Sequence, residues 1–309
     1  MPREEVSGLT DVFVLGSINQ DFVLRVERRP EPGETVTNAE LATGNGGKGA
    51  NQSAAAALLG ASVKILGRVG DDEFGEPLVR ALEDKGVDTG LVERTPDAST
   101  GAAFITVTPD GENAITVAPG ANRSLTPDDV DAAAEAIRSA RVLVAQMEVP
   151  VETVLRAVEV ASESDTRALV NLAPTFEVPR RLLEKLDPLV VNEHEAAFLL
   201  GSKAEGVEGA LSAAPELLSL GPRSAVITVG EAGAVFAQDE AVEHLAAPKV
   251  DVVDTTGAGD AFVGALATRL ARGDSLEDAV AYAVRAGAAA VTQEGAQGAL
   301  PTPEVVESL

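Results

Sequence analysis

The sequence predicts an α/β fold, with a mostly parallel central sheet covered by helices on both faces and a small β lid over the sheet's carboxyl edge. Three observations predict it. Short runs that are apolar throughout recur along the chain, as strands buried on both faces require. Between them lie stretches with helical spacing of apolar residues, so strand and helix alternate over nearly all of the 309 residues. Two extended stretches interrupt this alternation and have no crossover helix.

The first strand is Val12 to Leu15 (VFVL), ending at Gly16. Strands of the same kind start at Val63 (VKILG), Val142 (VLVAQ), Ala168 (ALVN), Leu189 (LVVN) and Ala225 (AVITVG), and DVV at Asp251 reads as another. Helices are expected over NQSAAAALLG from Asn51, EPLVRALEDKG from Glu76, TPDDVDAAAEAIRSA from Thr126, VETVLRAVEVA from Val151, EHEAAFLLG from Glu193 and AFVGALATRLARG from Ala261. The third opens on a cap threonine, then Pro127 and two carboxylates, a strong start signal. The interrupting stretches are Phe22 to Leu41 and Ser99 to Val117, with turn signals at Pro32-Gly33 and Asp110-Gly111. They cannot easily join a parallel sheet, so they read as lid segments, about 20–43 and 99–118, of a single domain over 1–309.

Composition narrows the function. Acidic side chains number 49 and basic ones 24, a formal charge of −25, which repels nucleic acid and anionic membrane alike. The acid excess also fits a salt-rich cytosol. There is no cysteine, which excludes thiolate catalysis and cysteine-bound zinc, and two histidines leave little for a serine–histidine triad. No apolar run approaches the roughly 18 residues of a spanning helix, and the amino terminus lacks a signal peptide's apolar region. The expected location is the cytoplasm.

The most informative segment is Asp251 to Gly264, DVVDTTGAGDAFVG. Small residues at Gly257, Ala258 and Gly259 leave backbone N–H groups uncovered at a helix start, which makes an anion hole. A phosphoryl group in transfer needs such a cradle, and Asp260 can accept the proton of an attacking hydroxyl. The alternative is a tight turn with Asp260 as an N-cap. The second segment, Gly44 to Asn51 (GNGGKGAN), fails the P-loop pattern because Gly49 follows Lys48. It remains a flexible backbone, with Lys48 and Asn51 as donors to a polyol or a phosphate. The third, Gly16 to Asp21 (GSINQD), puts an amide and a carboxylate, Asn19 and Asp21, on one side of an extended segment, which suits vicinal hydroxyls. Glu148 in QMEVP, and Asn192 with Glu195 in NEHE, fall at strand carboxyl ends, where open α/β sheets bind ligands. Glu148 suits sugar hydroxyls, while Asn192 and Glu195 suit phosphate and a hydrated Mg²⁺. Taken singly, Glu148 also reads as a helix N-terminal carboxylate and Glu195 as a solvated helix face. His194 and His244 read as ordinary residues.

From Val12 to Pro301 the chain resembles the ribokinase family of sugar kinases, through GSINQD, PGETV, GGKGANQ, GDDEFG, STG, PGAN, QMEVP, NEHEA, ITVGEAG and DTTGAGDAF in the family's order. The resemblance implies a ribokinase-like three-layer sandwich and ATP-dependent phosphorylation of a sugar, with D-ribose the first candidate acceptor. It implies that Asn19, Asp21, Gly46, Gly47, Lys48, Gly49, Asn51 and Glu148 contact the sugar, and that Asp260 is the base beside the hole of Gly257, Ala258 and Gly259. It implies a nucleotide held by Asn192 and by Thr228, Val229, Gly230, Glu231, Ala232 and Gly233, with Glu195 near its Mg²⁺. It implies a monovalent cation, usually K⁺, at Asp254, Thr256, Ala290, Gln293 and Gly295. A further ion position, often Ser, is Ala299 here, and Val284 stands where a polar residue often meets the adenine. Homodimers formed through the lid are also implied. Alternatives are another acceptor (fructose, 2-keto-3-deoxygluconate or a nucleoside) and, from a different class, a non-catalytic sugar-binding regulator.

Overall fold

Val12, Phe13, Val14 and Leu15 are all fully buried, yet they serve two cores, because successive side chains of a strand point to opposite faces. The computed structural model describes residues 10–110 and 113–309. Its first half runs through β1 (Val12–Leu15), β2 (Asn19–Arg25), β3 (Glu40–Gly46), α1 (Lys48–Leu58), β4 (Val63–Gly70), α2 (Gly75–Glu83), β5 (Val87–Thr95), β6 (Gly101–Val107), β7 (Asn113–Ala118), α3 (Pro127–Ala132) and α4 (Ala134–Ser139). Then follow β8 (Val142–Gln146), α5 (Val151–Ala161), β9 (Arg167–Asn171), α6 (Arg180–Leu183), β10 (Leu189–Asn192), α7 (Glu193–Leu200), α8 (Gly206–Ser219) and β11 (Ser224–Thr228). The chain ends with β12 (Ala234–Gln238), β13 (Ala241–Leu245), α9 (Ala258–Ala271), α10 (Leu276–Ala290) and α11 (Pro303–Glu307).

The large sheet has the order β13-β12-β11-β10-β9-β8-β1-β4-β5. From β11 to β5 all neighbours are parallel, while β12 and β13 add an antiparallel hairpin at one edge. Val12, Val14, Ile65, Val144 and Val190 pack against α1, α2, α9, α10 and α11 on one face. Phe13, Leu15, Leu143, Val170 and Ile227 pack against α3 to α8 on the other. The result is three layers with a mostly parallel sheet in the middle. A second sheet, β3-β2-β6-β7, is built from the two interrupting stretches. Its central pair, β2 and β6, is parallel, and β3 and β7 flank it antiparallel.

Several expectations need correction. The small sheet's strands begin and end outside the stretch Phe22 to Leu41: pairing runs from Asn19 and continues to Gly46, and residues 26–39 carry no strand. The expected Asp110-Gly111 turn lies partly outside the described residues. DVV at 251–253 is not a strand. Val252 and Val253 are each 58% exposed, and the segment has no neighbouring strand, only a Val253 N–H bond to the Val291 carbonyl at 2.8 Å. The helix expected from Thr126 to Ala140 breaks at Ala133, whose N–H is shared between the Asp129 and Val130 carbonyls, tightening the last turn of α3. The strands β5, β12 and β13 and the helices α8 and α10 had no reading from sequence. β5 is one-third charged and lies at the sheet edge, and α8 carries Pro215 in its interior.

Candidate active site

Three of the segments meet where β1 ends. After Gly46 the chain turns at Gly47 (φ 88°) into α1, and a Cβ at Gly47 would come within 2.7 Å of the Ser17 carbonyl and 2.8 Å of the Asn19 amide. Only glycine lets this turn lie on Ser17 to Asn19. Glu148, just beyond β8, fixes the junction: its Oε2 accepts from Ser17 Oγ at 2.5 Å and from the Lys48 N–H at 3.0 Å. Glu148 therefore supplies the carboxylate at the start of α1, and among the described residues its Oε1 has no donor. Glu148 thus stands at a helix start, that of α1 and not of the helix that follows it in the chain.

Asn19 and Asp21 share a face of β2, as the spacing required. The buried Asn122 donates from Nδ2 to Asn19 Oδ1 at 2.7 Å and accepts the Ile18 N–H at 3.0 Å, so Asn19 presents its own NH₂ outward. Asp21 lies against Gly46, where a Cβ would collide with its carboxylate, and its Oδ1 is buried without a partner among the described residues. Burial, and after it the charges of Glu148 and Asp260, push the Asp21 carboxyl up to about 7.

The helix α9 starts from Gly257, whose φ of 79° no other residue adopts readily and whose Cβ would press on Ala296 at 2.9 Å. The N–H groups of Gly257, Gly259 and Asp260 find no acceptor among the described residues, as an anion hole requires. Asp260 is not the N-cap, which is Gly257. It stands in the first turn, 8% exposed, and reaches across to α1: Asn51 Nδ2 donates to its Oδ2 and Gln52 Nε2 to its Oδ1, both at 2.9 Å. The tight-turn alternative is thereby set aside for Asp260.

Gly257, Gly259 and Asp260 open onto a cavity of about 150 Å³, lined also by Lys48, Asn171, Asn192, Glu195 and Thr228, while Asn19, Asp21, Asn51 and Glu148 lie beyond its lining. Lys48, expected at the sugar, stands here with the residues expected at the nucleotide. Asn192 and Glu195 form a reciprocal cap on α7: Asn192 Oδ1 accepts the Glu195 N–H and Glu195 Oε2 accepts the Asn192 N–H, each at 2.8 Å. Glu195 is 7% exposed, so it is not a solvated helix face. Burial raises its carboxyl, against the opposing pull of the Asn192 N–H and Lys48. Burial alone would lower the Lys48 ammonium, but Asp260, Glu148 and Glu195 outweigh it and raise it. Lys48 Nζ has no hydrogen bond or ion pair among the described residues, so a buried cation faces the cavity. Val229 follows β11, Gly230, Glu231 and Ala232 form a 3₁₀ turn, and Gly233 ends it; these five lie beyond the cavity's lining.

At the positions implied for a monovalent cation, Asp254 Oδ1 accepts from Thr256 N–H (2.9 Å) and Oγ1 (2.7 Å), and Oδ2 from Gly295 N–H (2.9 Å). The carboxylate thus joins the two loops that would enclose an ion. These bonds outweigh burial and lower the Asp254 carboxyl. Ala290 ends α10 in the core, Gln293 is exposed, and Ala299 is buried with no oxygen to offer beyond its carbonyl. Among the described residues no cluster of three acids or histidines is placed to hold a metal. Elsewhere, a cleft of about 480 Å³ between α2 and β5 is larger, but Glu76, Glu83, Asp88 and Arg94 line it and no motif residue reaches it. Another, of about 320 Å³, places Val284 with Leu245, Ala247, Ala281 and Leu309. His244 Nε2 pairs with the Ala232 carbonyl at 2.7 Å, on the 3₁₀ turn and outside the cavity's lining.

Sequence reasoning assigned no role to Ser17, Gln52, Asn122, Gln146, Asn171 or Gln297, all of which bond to site residues or to their partners. Ser17, Gln52, Asn122 and Gln146 stand inside quoted motifs, which was the available signal.

The family model for pfkB carbohydrate kinases matches residues 9–303. A ribokinase of Staphylococcus aureus is 39% identical over 96% of this chain and 99% of its own, and a deoxyribokinase of Salmonella typhimurium is 37% identical over 95% and 96%. Among solved structures, ribokinase of Arabidopsis thaliana complexed with ribose and ATP has 30% identity and a TM-score of 0.89, over 97% of this chain and 98% of its own. Ribokinase of Thermotoga maritima, with 33% identity over the same shares, has a TM-score of 0.88. The layered fold, the open N–H groups at the start of α9 and the aspartate beside them therefore sit in a chain that belongs to the pfkB family of carbohydrate kinases.

Proposed function

We propose that this kinase transfers the γ-phosphoryl group of Mg·ATP to the primary 5-hydroxyl of D-ribose, giving ribose 5-phosphate. The observation that carries the reading is the pairing of Asp260 with unpartnered N–H groups at the start of α9, beside a cavity holding the unpaired Lys48. Asp260 takes the hydroxyl proton, while the open N–H groups of Gly257 and Gly259 cradle the charge on the phosphoryl oxygens; the Ala258 N–H, expected to share this role, is turned to the Thr255 carbonyl at 3.3 Å, and Ala258 serves there as a small residue that leaves the turn uncovered. In a loose transition state the proton leaves late, so positioning outweighs basicity. Asn19 donates to a sugar oxygen; Asp21 and Glu148 accept from sugar hydroxyls; Gly46, Gly47 and Gly49 let the backbone close on the sugar and Asn51 borders it. Lys48 bridges toward the phosphates, with Asn192 and the run Thr228 to Gly233 along the nucleotide. When bound with ATP, Mg²⁺ neutralises phosphate charge, and Glu195 is the carboxylate here that would hold its water shell.

K⁺ is the proposed activator, held by Asp254, Thr256 and the carbonyls of Ala290, Gln293 and Gly295. The small sheet acts as a lid that shuts out water. A homodimer through that lid is supported by exposed apolar side chains on it: Leu41 (63%), Phe104 (44%), Ile115 (57%) and Val117 (43%). Light scattering that finds a monomer removes the dimer. The cytoplasm, where ATP and free sugar meet, is the proposed location, and among the described residues no helix is long and apolar enough to cross a membrane.

The deoxyribokinase likeness favours one second reading, 2-deoxyribose as the acceptor. ADP release from Mg·ATP, measured with ribose, 2-deoxyribose, fructose, 2-keto-3-deoxygluconate and nucleosides, with and without K⁺ and at low and high salt, separates these. The highest kcat/KM is expected with ribose, and K⁺ raises the rate. A higher value with another acceptor discards ribose, and no turnover by folded protein at either salt discards the roles given to Asp260 and the hole.

A further inference from the structure

We propose that Gln52 is a positioning residue, which holds Asp260 through a directed relay of buried amides. The inference rests on the reading of Asp260 as the base and adds how that base is aimed. Two relays converge on it. Gln146 Nε2 donates to Gln52 Oε1 at 2.7 Å, and Gln52 Nε2 donates onward to Asp260 Oδ1 at 2.9 Å. Gln297 Nε2 donates to Asn51 Oδ1 at 3.0 Å, and Asn51 Nδ2 donates onward to Asp260 Oδ2 at 2.9 Å. All four amide residues are buried.

An amide has one accepting and one donating end, so an ionised Asp260, which only accepts, and an outer glutamine that donates to the inner oxygen hold the inner amide in the same orientation from its two ends. With Gln146 donating, Gln52 can offer its NH₂ group to the carboxylate and not its oxygen. The same holds for Gln297 and Asn51. The unmatched groups are pushed to the far ends: among the described residues Gln146 Oε1 and Gln297 Oε1 are buried without partners, a cost that chains of this polarity place away from the base. Pinning both oxygens stops the carboxylate from rotating and leaves its remaining lone pairs toward the cavity that Asp260 lines. Gln52 also donates to Asn171 Oδ1 at 3.1 Å, which holds the amide plane from a third side.

The test uses the full-length enzyme with Mg·ATP and ribose. Gln52→Met keeps volume and removes the donor; Gln146→Glu keeps shape and, as a carboxylate, turns the Gln52 amide round so that its oxygen faces Asp260. Each is expected to lower kcat about 10²-fold, the scale of a misplaced reacting group. The KM values for ribose and ATP are expected to stay within about threefold, as for an interaction felt in the transition state. Gln146→Met, which frees Gln52 without reversing it, loses less. Wild-type kcat in Gln52→Met and Gln146→Glu, or a loss carried by KM, overturns the proposal. Should these variants not fold, the side-chain amide resonance of Gln52 in the wild type is compared with that in Asp260→Asn; an unmoved resonance overturns it as well. Retained kcat in Asp260→Asn sinks the base itself, whereas an inactive Asp260→Asn beside fully active Gln52→Met sinks the relay alone.

Discussion

Asp21 and Asp72 both belong to short motifs beside the small sheet, and the fold treats them in opposite ways. Asp72 is saturated: it accepts the N–H groups of Phe74 (3.2 Å), Gly75 (3.1 Å) and Thr100 (2.6 Å), and the Thr100 hydroxyl (2.6 Å). It ties the start of α2 to the start of β6, and these bonds outweigh burial and hold its carboxyl below the usual range. Asp21 is starved: one buried oxygen has no partner and two other carboxylates press on it. A scaffold satisfies its charges internally, whereas a binding site leaves them for a ligand to satisfy. The unpaired Lys48 and the open N–H groups at Gly257 and Gly259 belong to the second kind.

The largest effect expected on the starved side is at Asp260. Asp260→Asn lowers kcat by about 10²-fold or more, the usual weight of a general base, while ribose still binds by calorimetry; an unchanged kcat removes it as the base. On the saturated side, Asp72→Ala costs about 1–3 kcal/mol of stability from the charged hydrogen bonds it loses. That is read as a fall of several degrees in Tm, with KM for ribose little changed. Loss of sugar binding without loss of Tm would break the comparison.

Asp21→Asn is expected to do the reverse of Asp72→Ala, weakening ribose binding while raising Tm above neutral pH. The signs follow from linkage. A carboxyl raised to about 7 from an unfolded value near 3.8 binds more protons folded than unfolded, so it costs stability that sets in as pH climbs between those values. A lowered carboxyl such as Asp72 gives stability above its unfolded value and loses it as pH falls through the folded one. The wild-type KM for ribose should therefore rise as pH drops below about 7, as Asp21 protonates and stops accepting from hydroxyls. In Asp21→Asn that part of the pH profile should be flat, and a profile like the wild type's would assign the titration elsewhere.

Much of the scaffold was legible in the chain. VFVL and VLVAQ could be read because an all-apolar run of that length needs two buried faces. The same rule misread DVV, since an apolar run says nothing about whether a neighbouring strand exists; Val252 and Val253 face solvent. The small motifs singled out Asn19, Asp21, Glu148 and Asp260 by their place at strand ends and helix starts, and the fold brings the carboxylates of Asp21, Glu148 and Asp260 near one another. The supporting residues were hidden for a physical reason. Ser17 meets Glu148 across 131 positions, Gln52 meets Asp260 across 208, and Asn122 meets Asn19 across 103. No local pattern encodes such pairs. Gln52 in particular sits on a helix whose alanines point to plain packing.

The most direct measurement of the contrast is the titration of the Asp21 carboxyl by NMR, with and without ribose. A midpoint near 7 in the free protein is expected, with a downward shift once sugar hydroxyls donate to the ionised form. An ordinary carboxylate midpoint in the free protein, unmoved by ribose, would contradict the account of a site whose charges wait for the substrate.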